Sequence, residues 1–379
     1  IGKIEISIRA RAERAGEREE KAPFGALSLA HRPHGVLAVF GPFNFPAHLP
    51  NGHIVPALLA GNAVVFKPSE LAPSAGALMA EAWEEAGLPP GVLNLVQGGR
   101  STGEALLAER GINGVLFTGS AATGIAIHKA FAGRPDVLLA LEMGGDNPLI
   151  AWPPADPAAA ANLIAHSAWT TSGQRCSCAR RLFLPAGAFG DAVLEHLSAL
   201  GARLSVGGWK SEPEAFMGPV VTEAAAERLA RAEARFRAMG GVSLRPFDRR
   251  GAFLQPALMD MTGVSAPPDE EVFAPFLQVF RAATIEGALA GAARTAFGLA
   301  GGLISDDADL WARAQLEMRA GVLNWNRPTT GASSALPFGG PGLSGDLRPS
   351  AYYAADYAAY PVASQTAARA EAIPAQGLP

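Results

Sequence analysis

Apolar and polar positions alternate in blocks along the chain. From residue 35 onward, short apolar runs are followed by turns rich in Gly, Pro or Asn and then by alanine-rich segments of helical character. Five runs are apolar on both faces, as buried parallel strands are, namely residues 35–40, 63–67, 91–96, 114–119 and 137–143. This repeated order of strand, turn and helix predicts an α/β domain built on a parallel sheet.

A second series of elements begins near residue 155. It consists of a helix, a strand and a helix, predicted at 155–169, 180–185 and 189–201. The pattern allows the first of these helices to continue to Gly173. In the first series, the helical segments 74–87 and 102–111 each end at glycine, the usual left-handed C-cap. We therefore expect a second α/β domain.

Three segments lie outside both series. An N-terminal helix is predicted from apolar residues at helical spacing, namely Ile1, Ile4, Ile8 and Ala12. Because the chain opens without methionine, we expect it to lack part of its N-terminus. Residues 15–33 and 350–365 fit neither series and are predicted to be arms or strands that pack elsewhere.

The composition limits the class of protein. A chain of 379 residues suits two domains or more, and 49% hydrophobic with 17% charged residues indicates a globular protein. The formal net charge of -4 offers no basic surface to nucleic acid, and no apolar run approaches the roughly 20 residues that cross a bilayer. We expect neither nucleic acid nor membrane as a partner. The N-terminus lacks a secretion signal's apolar core, so a reducing cytoplasm is the expected location.

The stretch "FTGSAATG", residues 117–124, predicts a phosphate-binding site. A strand ends here, Gly119 permits a tight turn, and a helix begins near Ser120. Backbone N–H groups at a helix N-terminus bind anions well. The spacing is not that of the common dinucleotide fingerprint, so an ordinary strand-to-helix turn remains the alternative.

The stretch "AVVFKPSE" places two charges at the end of a predicted parallel strand. Lys67 ends the strand and Glu70 follows three residues on. Ligands bind at the carboxyl edge of such sheets, where a Glu can accept both ribose hydroxyls and repel a 2′-phosphate. This favours NAD over NADP. The alternative is a surface ion pair worth at most about 1 kcal/mol.

Two further motifs provide a carboxylate and an amide. In "LEMGGDNP", Glu142 leaves an apolar strand, and partial desolvation would suit it to general-base work. The alternative is a strand-end Glu that turns into solvent. In "GPFNFP", Asn44 lies between two aromatic residues and could stabilise an oxyanion, or could cap the next helix.

Both cysteines of the chain lie in "SGQRCSCARR". A metal site at Cys176 and Cys178 would need further ligands that the sequence does not place nearby, and we expect no metal. A disulfide across one intervening residue would be strained. A thiol nucleophile remains, because the flanking arginines would lower the pKa of a neighbouring thiol. A buried structural cysteine is the alternative.

A thiol, a carboxylate, an amide donor and a dinucleotide seat together suit the oxidation of an aldehyde through a thioester. Over nearly its whole length the sequence resembles the aldehyde dehydrogenase family. The motifs that carry the resemblance occur in the family's order, namely "GPFNFP", "FKPSE", "FTGS", "LEMGG", "GQRC", "EEVFAP", "NWN" and "PFGGPGLSG".

The resemblance implies a catalytic role for several motif residues. Cys176 would be the nucleophile and Cys178 a bystander. Glu142 would activate the hydrolytic water, and Asn44 with the backbone N–H of Cys176 would hold the oxyanion.

The resemblance also implies NAD as cofactor. Lys67 and Glu70 would hold the adenosine ribose, Glu271 would hold the nicotinamide ribose, and Phe273 would place the nicotinamide ring. The pyrophosphate and nearby cofactor atoms would be seated by Gly119, Ser120, Ala121, Ala122, Thr123 and Gly124.

The implied fold has a Rossmann-like NAD-binding domain, an α/β catalytic domain and a bridging element of a homodimer or higher homo-oligomer. The predicted boundaries are 1–14 for an N-terminal helix of the cofactor domain, 15–33 for an oligomerisation arm, 34–142 for the NAD-binding domain, 143–345 for the catalytic domain, and 346–379 for a C-terminal oligomerisation segment and tail.

Within the family, "HLPNGHIVPALLAGN" and "NWNRPTTGASSALPFGG" are similar to the subfamily that oxidises a succinylated glutamate semialdehyde in arginine catabolism. Such a dicarboxylate semialdehyde needs cations with forked donors in its pocket. We expect Arg175 and Arg348 in this role, with Arg327 as a third candidate. Another acidic semialdehyde is the alternative substrate.

Two departures from the family pattern and two rival functions remain. Family members carry a segment ahead of Ile1, and Asp146 stands where the subfamily usually has Asn, which would raise the pKa of Glu142. A cofactor-free cysteine hydrolase would need a His base, and the nearest in sequence is His166, ten positions before Cys176. A non-catalytic binding or structural protein on the same fold is the second rival.

Overall fold

The computed structural model describes residues 2–246, 248–373 and 375–377. Ile1, predicted as part of the first helix, lies outside the described residues. The helices are α1 (Gly2–Arg14), α2 (His48–Leu59), α3 (Pro73–Glu85), α4 (Arg100–Ala108), α5 (Ala121–Ala130), α6 (Pro157–Trp169), α7 (Ala188–Arg203), α8 (Glu223–Ala238), α9 (Ile285–Ala293), α10 (Ala308–Glu317) and α11 (Ala354–Tyr357).

The strands alternate with these helices along most of the chain. They are β1 (Arg18–Ala22), β2 (Gly25–Pro33), β3 (Val36–Phe40), β4 (Ala63–Lys67), β5 (Leu93–Leu95), β6 (Gly114–Gly119), β7 (Leu138–Met143), β8 (Asn147–Ala151), β9 (Ala179–Pro185), β10 (Val242–Arg245), β11 (Arg249–Arg250), β12 (Phe253–Leu254), β13 (Ala257–Asp260), β14 (Phe276–Ala282), β15 (Ala300–Ile304), β16 (Val322–Trp325), β17 (Pro337–Phe338), β18 (Ser350–Ala351) and β19 (Ala359–Thr366).

The first large sheet contains the five strands that the hydrophobic pattern predicted. Its order is β5-β4-β3-β6-β7, and every neighbouring pair is parallel. Apolar side chains such as Leu37, Phe66 and Leu116 are fully buried, because helices cover both faces of the sheet. The carboxyl ends of the strands form one edge, as the parallel arrangement requires.

The second large sheet has seven strands in the order β10-β13-β14-β9-β8-β15-β16. All pairs are parallel except β10 with β13. The chain passes directly from the first sheet to the second, since β7 and β8 are separated only by Gly144, Gly145 and Asp146. This short connection places the end of β7 next to the start of the second sheet.

The two segments predicted to be arms pair with each other. β1, β2 and β19 form an antiparallel three-stranded sheet in that order. The pairing joins a hairpin near the start of the chain to a strand near its end.

Two local predictions are wrong. Gly111 is not a left-handed C-cap, because α4 ends at Ala108 and Gly111 does not have positive φ. α6 ends at Trp169 and does not continue to Gly173. The predicted N-terminal helix is confirmed as α1, although Ile4 and Ile8 are exposed and the buried positions are the small residues Ser7 and Ala10. Within the described residues, no helix has both the length and the apolar character needed to span a membrane.

Candidate active site

The loop that carries the cysteines begins with a left-handed turn. After α6 ends at Trp169, Thr171, Ser172 and Gly173 have φ values of 58°, 56° and 67°. Residues other than glycine adopt this region at a cost of about 1–3 kcal/mol each. The hydroxyl group of Ser172 donates to the carbonyl oxygen of Gly218 at 2.6 Å and helps to hold the turn.

Arg180 holds this loop through its backbone. The buried guanidinium donates to the carbonyl oxygens of Gly173 at 2.7 Å and Arg175 at 3.0 Å. It also lies 3.6 Å from a carboxylate oxygen of Glu271, and its Cζ atom lies 5.3 Å from the centre of the Phe273 ring. Arg180 therefore connects the cysteine loop to Glu271 and Phe273, the two residues predicted to contact the nicotinamide end of NAD.

Two asparagines bind three further carbonyl groups of the loop. The amide of Asn147 donates to the carbonyl oxygens of Cys176 at 2.7 Å and Cys178 at 2.8 Å. The amide of Asn44 donates to the carbonyl oxygen of Gln174 at 2.9 Å. An amide group has two N–H donors, so Asn44 can bind a second acceptor next to the loop, as its predicted oxyanion role requires.

Glu142 lies near the end of β7 beside the cysteine loop. Burial raises the pKa of Glu142 to about 7, and the charge of Glu271 raises it as well, while contacts with the thiol of Cys176 and the hydroxyl of Thr118 oppose the rise. Neither carboxylate oxygen has a partner at hydrogen-bonding geometry among the described residues. A buried carboxyl group with a pKa near neutrality can accept a proton from a neighbouring thiol or water.

The flanking arginines do not lower the pKa of the candidate nucleophile. Burial raises the pKa of the Cys176 thiol well above its usual range, and the carboxylates of Glu142 and Glu271 raise it further. The expectation of a depressed thiol pKa is therefore wrong, because the guanidinium groups face backbone carbonyls, aromatic rings and other carboxylates. At neutral pH the thiol is protonated, and the nearest base is Glu142.

Asp146 forms a buried ion pair with Arg181. Nε of Arg181 lies 2.9 Å from Oδ2 of Asp146 and also donates to its carbonyl oxygen at 2.9 Å. Burial raises the pKa of Asp146 to about 7, and Arg181 opposes the rise. Burial, Cys176, Thr118, Glu271 and Lys3 have the largest effects on the pKa of Glu142, and Asp146 is not among them. The charge of Asp146 is instead paired with Arg181, so the structure does not support the expectation that Asp146 raises the pKa of Glu142.

Glu271 lies against the two glycines that follow β7. A Cβ atom on Gly144 would overlap the Glu271 carboxylate, so the glycine leaves room for that carboxylate against the backbone. Burial raises the pKa of Glu271 to about 7, while Arg180 and the backbone of Gly145 oppose the rise. Phe43, next to Asn44, packs edge-on against Phe273 with ring centres 6.0 Å apart. The structure therefore brings Glu271 and Phe273 close to Cys176.

The predicted phosphate-binding site lies at the N-terminus of α5. β6 ends at Gly119, and the side chain of Ser120 caps the helix by accepting from the backbone N–H of Thr123 at 3.3 Å. Ala121 and Ala122 begin the first turn, whose N–H groups lack intrahelical acceptors. This end of the helix can hold an anion such as a pyrophosphate.

Lys67 and Glu70 lie together at the carboxyl edge of the first sheet. Nζ of Lys67 lies 3.8 Å from a carboxylate oxygen of Glu70 and donates to the carbonyl oxygen of Pro68 at 3.2 Å. The lysine is buried, while the Glu70 side chain is 57% exposed and free to meet a ligand. With the anion site of α5, this edge carries the donors and acceptors that a dinucleotide with two riboses requires.

The structure separates the three arginines that were predicted to bind substrate. Arg175 lies at the cysteine loop, where its Cζ atom is 5.1 Å from the centre of the Phe45 ring. Arg348 instead donates to the carbonyl oxygen of Leu139 at 3.0 Å, near the amino end of β7 and away from Glu142. The geometry therefore does not support Arg348 as a partner of Arg175.

Arg327 is exposed in the segment that follows β16. Its side chain makes no hydrogen bond or ion pair with the rest of residues 2–246, 248–373 and 375–377. No contact joins it to the cysteine loop, and its predicted role has no geometric support.

The sequence interpretation missed a buried polar chain behind Glu142. His53 Nδ1 lies 2.9 Å from the hydroxyl of Tyr357, and its Nε2 lies 3.2 Å from the hydroxyl of Thr118, which acts on Glu142. It also missed Asn147, whose side chain fixes the cysteine loop. The signal for Asn147 was its position two residues after Gly145, at the start of the strand that follows the glycines.

The geometry does not fit a hydrolase with a cysteine and histidine pair. His166 lies on α6, where its ring packs against Phe216 with centres 5.5 Å apart. The group that acts on the thiol of Cys176 is the carboxylate of Glu142. The site therefore pairs a thiol with a carboxylate, next to a sheet edge suited to a dinucleotide.

Comparison with known proteins gives one family over almost the whole chain. The model of the aldehyde dehydrogenase family matches residues 3–359. A curated relative, the N-succinylglutamate 5-semialdehyde dehydrogenase of Paraburkholderia xenovorans, is 54% identical over 370 residues, which cover 97% of this chain and 76% of the relative.

Solved structures agree with this result. An aldehyde dehydrogenase of Mycobacterium tuberculosis complexed with NAD+ is 27% identical, with a TM-score of 0.87 over 95% of this chain and 76% of that chain. The bifunctional proline utilization A protein is 33% identical, with a TM-score of 0.88 over 95% of this chain and 37% of that longer chain.

Proposed function

The chain belongs to the aldehyde dehydrogenase family, and we propose that it oxidises N-succinylglutamate 5-semialdehyde to N-succinylglutamate in arginine catabolism, with NAD as cofactor. The observation that carries this proposal is the pairing of the half-buried thiol of Cys176 with the buried carboxyl group of Glu142, a thiol with its base beside it. The high identity to a curated relative of that name supports the choice of substrate.

The first step is the attack of Cys176 on the aldehyde. Its Sγ atom forms a bond to the carbonyl carbon while the thiol proton passes to Glu142, whose raised pKa suits it to accept that proton. The carbonyl oxygen becomes an oxyanion, which can be held by the second amide N–H of Asn44 and by the backbone N–H of Cys176. The loop's carbonyl groups are bound elsewhere, so its backbone is fixed before the substrate arrives.

NAD, when bound, supplies the hydride acceptor, so that loss of hydride from the reacting carbon leaves a thioester on Cys176. The residues that would hold it are Lys67 and Glu70 at the adenosine ribose, the first turn of α5 at the pyrophosphate, and Glu271 and Phe273 at the nicotinamide side. Glu142 releases the thiol proton to solvent before hydrolysis. It then accepts a proton from water, the water oxygen bonds to the thioester carbon, and the C–S bond breaks with its electron pair on sulfur. The acid product leaves as a carboxylate after losing its proton to solvent, and Glu142 returns its proton to Cys176, which restores the thiol.

The substrate's two carboxylates need cations near the reacting carbon. Arg175 adjoins Cys176 in sequence, stacks on Phe45, and donates through Nε to the hydroxyl of Thr171 at 2.9 Å. Its terminal nitrogens remain available for a forked bond to a carboxylate. Arg175 is therefore assigned to one substrate carboxylate.

Assembly and location are part of the same proposal. The antiparallel sheet of β1, β2 and β19 has edge strands that can bridge copies of the chain, which suits a homodimer or a higher homo-oligomer. A thiol nucleophile needs reducing conditions, which suits the cytoplasm.

The proposal is tested by NADH formation from a panel of aldehydes. The succinylated semialdehyde is expected to give stoichiometric NADH with a kcat/KM at least about 100-fold above that of butanal, because two charged hydrogen bonds are lost with the simple aldehyde. NADP is expected to serve poorly. Equal activity toward butanal would contradict the substrate, and no NADH from any aldehyde would favour a non-catalytic protein.

The pH dependence of kcat/KM offers a second test. Glu142 must be ionised to accept a proton, and its pKa is about 7. Below that value kcat/KM is expected to fall by roughly tenfold per pH unit, because the protonated fraction of Glu142 grows. Asp146→Asn, which alters a second carboxyl group with a pKa of about 7, is the matched control, and its kcat/KM should fall below pH 7 as in the parent chain. The assignment would be contradicted if this fall were absent in Asp146→Asn or still present in Glu142→Gln.

A further inference from the structure

Lys3 places an ammonium group beside the first turns of α2. α1 packs on α2, and Nζ of Lys3 donates to the carbonyl oxygen of His48 at 3.1 Å and lies 3.4 Å from His48 Nε2. A Cβ atom on Gly52, one turn further along, would lie only 2.8 Å from this Nζ. The glycine therefore leaves room for the ammonium between the two helices.

The ammonium of Lys3 has no counter-charge at contact distance. Among residues 2–246, 248–373 and 375–377, no carboxylate oxygen lies within 4.0 Å of its Nζ. The lysine is half-buried, and burial lowers the pKa of Lys3 to about 8, while the charge of Glu142 acts in the opposite direction. A half-buried cation without an anionic partner favours a ligand that brings the anion.

Lys3 and Arg175 are connected through one pair of neighbouring rings. The Cζ atom of Arg175 is 5.1 Å from the centre of the Phe45 ring, and that ring packs edge-on against His48 with centres 6.4 Å apart. His48 in turn contacts Nζ of Lys3. One cation therefore lies beside Phe45 and the other beside His48.

Glu142 links this surface to the site of reaction. Its carboxylate acts on the thiol of Cys176 and also on the ammonium of Lys3. An aldehyde held at Cys176 with an acidic chain along Phe45 and His48 would have Arg175 near the first ring and Lys3 near the second. This matches a substrate with one reactive carbonyl and two carboxylates.

We propose that Lys3 binds one of the two substrate carboxylates and Arg175 binds the other, so that Lys3 is a specificity-determining residue. This inference rests on the proposed function. Lys3, on the first helix of the described chain, thereby takes the role that the sequence predicted for Arg348, which lies near the amino end of β7.

The test compares Lys3→Met with the parent chain on three aldehydes. They are N-succinylglutamate 5-semialdehyde, N-acetylglutamate 5-semialdehyde, which lacks the distal carboxylate, and 4-(succinylamino)butanal, which lacks the α-carboxylate. Methionine keeps the length of the side chain and removes the charge. KM for the full substrate is expected to rise about 10- to 100-fold with kcat nearly unchanged, as for a lost charged hydrogen bond. One analogue, the one that lacks the carboxylate bound by Lys3, is expected to show no change.

Control variants separate binding from folding. Lys129→Met alters an exposed lysine in the last turn of α5 and should leave all three KM values unchanged, and Lys3→Arg should restore most of the affinity. An equal rise of KM for all three aldehydes in Lys3→Met would overturn the proposal and leave a structural role.

A measurement on the parent chain covers the case in which Lys3→Met does not fold. Reductive methylation of Lys3 is followed by peptide mapping with and without N-succinylglutamate, with Lys129 as internal reference. The product is expected to slow methylation of Lys3 at least about fivefold and to leave Lys129 unaffected; equal rates at Lys3 would overturn the proposal. Failure of the proposed function looks different, because the parent chain would then show no preference for succinylated aldehydes over butanal.

Discussion

Replacing Cys176 by serine is expected to lower kcat/KM for aldehyde oxidation by about 10³-fold or more. The hydroxyl group of serine is a much weaker nucleophile than the thiol of cysteine. In addition, Glu142 has a pKa of about 7, so it is too weak a base to deprotonate a hydroxyl group well. NADH formation at saturating NAD measures the effect.

Cys178→Ala is the matched control for this variant. Cys178 is fully buried, and its Sγ atom lies 3.8 Å from the carbonyl oxygen of Thr170. Its removal should change kcat/KM only a few-fold, at a modest cost in stability. If the effects were reversed, with a large loss in Cys178→Ala and little in Cys176→Ser, the nucleophile would be misassigned.

Replacing Glu142 by glutamine is expected to lower steady-state turnover by about 10²- to 10⁴-fold. The amide cannot accept a proton from water, so the thioester on Cys176 persists. Glu142 also accepts the thiol proton in the first step, so thioester formation is slowed as well, but a thiol loses its proton to solvent far more readily than water does. Hydrolysis is therefore slowed more, and the first turnover should still give a burst of NADH of about one equivalent per active site. Rapid mixing with detection of NADH measures both the burst and the slow phase.

Thermal unfolding provides the folding control for Glu142→Gln. Burial raises the pKa of Glu142 from 4.5 to about 7, so the folded state holds this proton more tightly than the unfolded state does. The stabilisation present below pH 4.5 is therefore lost as the pH rises through about 7. The glutamine variant, which has no buried charge, should melt at a higher temperature than the parent chain at pH 8. A lower melting temperature there, or undiminished turnover, would contradict the account of Glu142.

The strands of the first sheet could be predicted because their chemistry is local. Ala63–Lys67 and Gly114–Gly119 are apolar on both faces, and only burial in a parallel sheet accounts for that pattern. Lys67 and Glu142 were found for the same reason, since a charged residue at the end of such a strand must lie at the sheet edge. The predicted strand 91–96 was longer than the observed β5, Leu93–Leu95. β5 is a short edge strand and makes few backbone hydrogen bonds to a neighbouring strand.

The sequence could not predict where long side chains point. Arg180 and Arg181 flank the cysteines in sequence, but β9 directs their guanidinium groups to Glu271 and Asp146, which come from other parts of the chain. The flanking positive charges therefore gave the wrong sign for the pKa shift of Cys176. The left-handed turn at Thr171 was hidden for a similar reason, because the hydrogen bond from Ser172 to Gly218, far away in sequence, helps to hold it.

The surroundings of Lys3 show what the spacing of hydrophobic residues along α1 could not predict. The spacing of Ile4 and Ile8 predicts the helix α1, yet in the structure Ile4 and Ile8 are exposed and Ser7 and Ala10 are buried, while α1 packs on α2. Small residues permit close packing of the helices, and Lys3, which precedes them on the same face, reaches the surface beside His48. The spacing of Lys3, Ser7 and Ala10 was visible in the sequence, but their small or polar character gave no sign of burial.

The most direct measurement of the central claim is peptide mapping of Glu142→Gln quenched during its slow phase with the succinylated semialdehyde and NAD. We expect one N-succinylglutamyl group per chain, attached to the sulfur of Cys176, with Cys178 unmodified. An unmodified Cys176 in a sample that has released its burst of NADH would contradict covalent catalysis at this residue.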